Sequence, residues 1–306
     1  MFETNTLPTS DRGIQFITLA QSPQALRRLR LLVESLRRFG GQLSETEFWV
    51  FYPTEADQAL RAGIPEQLVI RWQPLEFPTD FPRFFFATKV YTCALAERLC
   101  ARDTRSLVWL DPGCLVLQPP QRLDLLPGES AAFRPVHIRN IGSLRGELLD
   151  DFWQAVYRRT GVEEALFSIQ SFVDGQTLRP YFNTHLFAID PSLGILQKWW
   201  EVFQALVADS AFQVGACQDE LHQIFLHQAA LSALVIKWIK PDRIRTLPPE
   251  YSYPLHLHTQ LPGDRRINTL NNLVCPVYED DLSLADLMKE MEIQEPLRAW
   301  LEGVTS

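Results

Sequence analysis

What constrains this chain most is a regular exchange of two hydrophobic periods over its first third. IQFITLA (14–20) is an apolar run of strand length. It gives way at Ser22-Pro23 to a helix start, a capping serine with proline at the first helical position. Leu26, Leu29, Leu32, Val33, Leu36 and Phe39 then recur at helical spacing until Gly40-Gly41 stops the pattern. EFWVFY (47–52) and LVIRW (68–72) read as further strands, with a short helix between them capped at Thr54 and ending at Gly63. PLEFPTDFPR (74–83) carries three prolines, which remove amide donors and fix φ, so it reads as a loop. FFFATKVYTCALAERLC (84–100) reads as a helix and SLVWL (106–110) as a fourth strand. Strands that alternate with helical crossovers lie parallel and are covered on both faces. The pattern therefore predicts an α/β fold, a mostly parallel Rossmann-like sheet with helices on both faces.

Beyond residue 110 the pattern changes. DDFWQAVYRRT (150–160), LQKWWEVFQALVA (196–208) and QDELHQIFLHQAALSAL (218–234) read as amphipathic helices, with a strand at THLFAID (184–190). Leu284 to Leu301 reads as two acidic helices broken near Pro296 and opened by a Ser283/Asp286 capping box. There is no internal repeat or obvious linker. The simplest organisation is one domain over 1–306, with a core over about 14–253 and a C-terminal helical appendage over about 254–306.

Several function classes lose support. Acidic side chains outnumber Lys and Arg by 37 to 29, a net charge of −8, which argues against a nucleic-acid or anionic-membrane surface. The longest apolar stretch, AALSALVIKWI (229–239), is too short for a transmembrane segment and contains Lys237. The N-terminus shows no signal-peptide pattern. Five cysteines (Cys93, Cys100, Cys114, Cys217 and Cys275) without CxxC spacing read as free thiols in a reducing, cytoplasmic compartment. No GxSxG elbow, Walker loop, GxGxxG or kinase signature appears.

Ligands of open α/β sheets sit outside the carboxyl ends of the strands, and Asp111 and the segment Thr18 to Gln21 lie at two such ends. Asp111-Pro112-Gly113 is also a good turn tripeptide, so Asp111 has both a turn reading and a ligand reading. Lys89 and Arg83 are cations of the kind a phosphate needs. Asn183 and His185 stand where a loop enters the strand at 184–190. Asn183 there either ties down the loop or meets a ligand. His256 and His258 alternate in a segment, SYPLHLHTQ, that reads as extended. They would then share a face, as two metal ligands or as two ordinary surface histidines.

In this order the segments resemble the nucleotide-sugar glycosyltransferases of GT-A fold, in particular the retaining, glycogenin-like branch. The resemblance covers about residues 14–253. It rests on the first strand and its loop, the helix bearing Lys89, and SLVWLDPGCLVLQPP, where the family writes a strand followed by a DxD motif. It rests also on YFNTHLFAID, similar to the family's YFNAG segment, on LHQAAL (226–231) and on LPPEYSYP (247–254). The resemblance implies a nucleotide-diphosphate sugar donor and an unspecified acceptor. It implies that Thr18, Leu19 and Ala20 contact the base, and that Lys89, with Arg83 nearby, faces ribose or diphosphate. Asp111 matches the first acid of DxD, and Asn183 the asparagine beside the donor sugar. The catalytic positions implied are His227, where the family has an acid, Gln228, and the neighbouring acid Asp219. The metal shell implied is Asp111 with His256 or His258, holding Mn or Mg together with the nucleotide.

The chain departs from the family at Gly113, in place of the second DxD acid, and at His185, in place of a small glycine. The DxD motif is thus degenerate, and cations such as Arg83 and Lys89 stand as an alternative to the metal. Two functions follow: a glycosyltransferase, or a catalytically degenerate module that binds a nucleotide sugar or glycan. A nucleotidyltransferase is a weaker third, because LAQSPQAL lacks a glycine-rich basic loop.

Overall fold

The computed structural model of the protein describes residues 13–54, 65, 68–78, 84–279 and 284–305. The helix expected after Thr54, the cap at Ser283 and the candidate Arg83 lie outside the described residues. β1 (Gly13–Leu19) leads into α1 (Pro23–Phe39), β2 (Phe48–Pro53), β3 (Ile70–Leu75), α2 (Ala87–Leu99) and β4 (Thr104–Leu110). The chain continues through β5 (Ala131–Pro135), α3 (Asp151–Thr160), the antiparallel pair β6 (Ile169–Gln170) and β7 (Thr177–Leu178), and β8 (Phe182–Ile189). Then come α4 (Ile195–Ala208), α5 (Ser210–Val214), α6 (Glu220–Trp238), β9 (Ile244–Thr246), β10 (Tyr251–Pro254), β11 (Cys275–Val277), α7 (Leu284–Glu290) and α8 (Leu297–Thr305).

Seven strands form one sheet in the order β3-β2-β1-β4-β8-β5-β9. Every neighbouring pair in it is parallel except the two made by β8, which runs against β4 and β5. The fold is α/β with a mostly parallel sheet, as the alternation of periods predicts. From β1 the chain steps outward to β2 and β3, then returns to lay β4 on the other side of β1. Such a reversal leaves a crevice between the carboxyl ends of the two strands concerned. Because β8 runs backwards, its first residues arrive at that same edge.

Alternate residues of each central strand feed opposite layers. Ile17, Phe51, Leu107 and Trp109 pack into the layer that holds α2, α4 and α6. Phe16, Phe48, Val108 and Leu110 pack into the layer under α1. Side chains of a strand point alternately to its two faces, so strands apolar in every register have to be buried on both. α1 begins as its sequence announces, with the Ser22 hydroxyl accepting from the Ala25 amide at 3.1 Å. Among the described residues no helix is long and apolar enough to cross a membrane, and all five cysteines are free thiols.

Three segments depart from the sequence reading. β3 runs on through Pro74 and Leu75, which were expected to open a loop. β3 lies at the sheet edge, where a proline's missing N–H costs no ladder bond. The helix expected from residue 84 starts at Ala87, after a turn that buries Phe84 and exposes Phe85. The segment around His256 and His258 is not extended, for Leu255–Gln260 coil into a 3₁₀ helix. β11 belongs to the C-terminal part, yet it lies parallel to β10, and Pro276 within it and Val274 just before it bond to the stretch after Asp111, Leu115 N to Pro276 O at 3.0 Å and Leu117 N to Val274 O at 2.9 Å.

One buried carboxylate ties two helices of the first layer together. Glu97 of α2 accepts from the Leu196 and Gln197 amides at 3.1 and 2.8 Å, filling donors that the start of α4 leaves open. Glu97→Ala should therefore lower stability by about 1–3 kcal/mol in urea unfolding, with little change in the slope of the transition.

Candidate active site

At the end of β4 both readings of Asp111 hold. Its carbonyl closes the Asp-Pro-Gly turn by accepting from Cys114 N at 2.9 Å, and its own amide donates to His185 O at 2.8 Å. That leaves its carboxylate facing the crevice edge, where Lys89 Nζ stands 3.1 Å from both oxygens. Lys89 sits in the first turn of α2 and is 3% exposed. It also donates to Thr184 O at 2.6 Å and lies over the rings of Trp109 and Phe86, at 4.9 and 5.6 Å from their centroids. The Trp109 indole N–H completes the carboxylate's shell at 3.0 Å. Burial pushes the Asp111 carboxyl up from its usual range, while the ammonium and the indole pull it back. An ammonium this buried needs an anion, and Asp111 is that anion.

Around the pair stands a group of imidazoles. His185 donates from its backbone N and from Nδ1 to Asn183 Oδ1, at 2.7 and 2.8 Å, which leaves Nε2 as an acceptor. Its ring stacks on His137, with centroids 5.7 Å apart. His137 donates from Nε2 to Ser252 O at 2.6 Å, and Ser252 holds a left-handed φ of 51° to present that carbonyl. The Asn183 amide nitrogen stands 3.4 Å from His137 Nε2. His227 and Gln228 lie buried about two turns into α6. His227 donates from Nδ1 to Ile224 O at 2.8 Å and meets the Thr184 hydroxyl at 3.0 Å, with its ring against Phe86. Burial and the nearby Lys89 charge depress the protonation of His185, to about 3, and of His227; burial and His185 do the same for His137. All three rings are neutral near pH 7.

Other expected residues are placed differently. Thr18, Leu19 and Ala20 are buried at the end of β1, beside β4, and Thr18 Oγ1 is enclosed without a hydrogen-bond partner. Asp219 is exposed and caps α6, accepting from His222 N and Nδ1 at 3.0 and 2.6 Å. Eight helical residues separate it from His227, about 12 Å of rise, so it is not brought to the cluster. His256 and His258 part company on their 3₁₀ turn. His258 is buried against the Tyr253 hydroxyl at 2.8 Å, and His256 faces the Glu279 carboxylate at 3.2 Å.

Gly113 is explained by contact, not by torsion. Its φ is not positive, but a Cβ built there would lie 2.5 Å from the backbone O of Tyr278, just past β11. Tyr278 N in turn bonds to Gly113 O at 2.9 Å. The space beside Gly113 is thus closed to a side chain by backbone. Among the described residues no three His, Cys, Asp or Glu side chains converge as a metal shell. With Asp111 held by Lys89 and the two histidines turned apart, the donor set does not fit a divalent ion.

The residues that sequence reasoning missed are His137, Ser252, Thr184 and Trp109. His137 follows β5, a strand too short and too polar at Arg134 to stand out by period. Trp109 was visible two residues before Asp111, a spacing that puts both side chains on one face of a strand.

Two outcomes follow. Gly113→Ala or Gly113→Asp should cost about 1–3 kcal/mol by overpacking against Tyr278 O, read by urea unfolding. A histidine whose folded pKa lies below its unfolded value binds fewer protons when folded. Its contribution is complete above the unfolded value of about 6.5 and falls away toward pH 3, by about 1.4 kcal/mol per pH unit. Stability should therefore drop more steeply between pH 6.5 and 4.5 in wild type than in His185→Gln, as measured by denaturation at each pH.

The sequence matches, over residues 16–239, a family model described as the Rhodobacterales glycosyltransferase domain. Solved structures similar to the chain include the galactosyltransferase LgtC in complex with donor and acceptor sugar analogues, at 14% identity and a TM-score of 0.51. The alignment covers 95% of this chain and 94% of that one. An active-site mutant of LgtC is similar at 15% identity and a TM-score of 0.51, with the same coverage. At such identities the likeness is one of fold. Among curated proteins the sequence has no significant match. The family model spans well over half of the chain, and the protein belongs to the Rhodobacterales glycosyltransferase domain family.

Proposed function

We propose that the protein moves a glycosyl group from a nucleotide-diphosphate sugar, bound over the carboxyl ends of β1 and β4, to an acceptor whose chemistry the chain does not declare. The observation that carries this reading is the buried Lys89–Asp111 pair at the reversal point of the sheet, within a family of glycosyltransferases. Thr18 to Ala20, at the carboxyl end of β1, form the opposite lip in this reading. Asn183 holds His185 in place through Oδ1, and His185 offers its Nε2 lone pair, an acceptor that suits a hydroxyl of the sugar. His227 and Gln228 back this wall through Thr184 and do not themselves reach solvent freely. The neutral rings are too weakly basic to take a proton near pH 7, so they position substrate and do not act as bases. The free thiols fit a cytoplasmic location, and the net charge of −8 fits partners other than nucleic acid.

One feature favours a second reading, a module that binds the donor without turning it over. The Lys89 charge is already spent on Asp111, so the described cluster is close to neutral. Thermal shift against a panel of UDP-, GDP-, ADP- and TDP-sugars tests both readings at their common step. Ligand at a hundred times its dissociation constant stabilises by about 2.7 kcal/mol, a clear rise in melting temperature. A panel without any shift, with and without manganese, would remove both. Slow release of nucleoside diphosphate from the stabilising donor, reduced at least about tenfold in Asp111→Asn, selects the enzyme. Tight binding with no release over a day selects the module.

A further inference from the structure

We infer that the guanidinium of Arg28, in place of a divalent metal ion, supplies the positive charge that faces the donor's diphosphate. The inference rests on the nucleotide-sugar reading above and adds to it a residue and a metal-free mode of binding.

Arg28 lies in the second turn of α1, the helix that follows directly from the carboxyl end of β1. α1 packs on the sheet face opposite the one that holds Trp109 and α2. Arg28 Nη1 is 3.9 Å from the Cβ position of Gly113, two residues beyond Asp111. The side chain is fixed from its far side, with Nη2 donating to the backbone O of Glu279 and the guanidinium carbon 5.4 Å from the centre of the Tyr278 ring. Nε is enclosed with no hydrogen-bond partner, so the group carries an unmet donor. The same piece of chain, Tyr278 and Glu279, thus closes the space beside Gly113 to a carboxylate and aims a guanidinium at it. The Glu279 carboxylate does not cancel this charge at close range, because it turns to His256 at 3.2 Å.

The charge balance points the same way. A nucleoside diphosphate brings at least two negative charges to the crevice. Lys89 is neutralised by Asp111, and three of the imidazoles are held uncharged. A metal would need anionic ligands that Gly113 cannot offer; Asp111 has both oxygens on Lys89, and the Glu279 carboxylate faces His256. A guanidinium needs no such ligands. Its planar fork matches two phosphate oxygens, and its charge persists at any working pH.

Calorimetry with UDP, GDP, ADP and TDP, in EDTA and in manganese, on wild type, Arg28→Gln and Arg28→Lys, tests the inference. The tightest of the four should bind wild type in EDTA, within about threefold of its affinity in manganese. Arg28→Gln should weaken that diphosphate at least about tenfold, yet change binding of the matching nucleoside less than about twofold. Arg28→Lys, which keeps the charge without the fork, should fall between. Ligand-free melting of each variant separates lost binding from lost folding, since Arg28 also braces Tyr278. Binding that requires manganese would overturn the inference and leave the nucleotide-sugar reading standing. So would unchanged diphosphate affinity in an Arg28→Gln protein that melts like wild type. If none of the four binds in either condition, the nucleotide reading fails and takes the inference with it.

Discussion

A lysine that is almost wholly buried must be given an anion, and the arrangement of this crevice follows from that need. Lys89 is carried to the sheet edge by the first turn of α2 and meets Asp111 at the end of β4. Removing one partner of a buried pair costs about 3–5 kcal/mol, because the other charge is left in a poor solvent. The pair thus fixes where α2 sits against β4, and its third bond, to Thr184 O, fixes where β8 enters. With β8 set, His185 is held on Asn183 Oδ1, and Thr184 turns back to His227 and Gln228. A single electrostatic requirement orders the β4 and β8 side of the candidate site.

The second constraint comes from the far end of the chain. The residues of β11 and just beyond it bond along the stretch that follows Asp111, and Tyr278 O presses on Gly113. Glycine is needed there for room, not for an unusual torsion. In a GT-A glycosyltransferase this is the place where a second acid would be expected. In this chain the space beside Gly113 is filled by a backbone contact, and Arg28 is held at the same spot by Glu279 O and Tyr278.

Much of the first half was legible because its signals are local. The β1–α1–β2 and α2–β4 periods, the Ser22 cap and the strand-end position of Asp111 each depend on residues close in sequence. The pairing of Lys89 with Asp111 was not read from the sequence, which offered Lys89 with Arg83 to a phosphate; twenty-odd residues and a helix lie between Lys89 and Asp111. What could not be read depends on distant partners. Gly113 is explained by Tyr278, Pro74 in a strand by its edge location, and His137 by the carbonyl of Ser252. The alternation at His256 and His258 misled for a related reason. Pro254 closes β10 and the chain coils at once, so a two-residue spacing no longer means a shared face.

The central claim is that the crevice between β1 and β4 holds a nucleotide diphosphate among Asp111, Asn183 and the base of α1. A crystal structure with the nucleoside diphosphate that raises the melting temperature most, grown in manganese, tests it directly. The account predicts the diphosphate over the ends of β1 and β4, with Arg28 on its oxygens, Lys89 still on Asp111, and no anomalous manganese peak between Asp111 and the phosphates. A nucleotide bound elsewhere, or a manganese ion bridging Asp111 and the phosphates with Lys89 displaced, would contradict it.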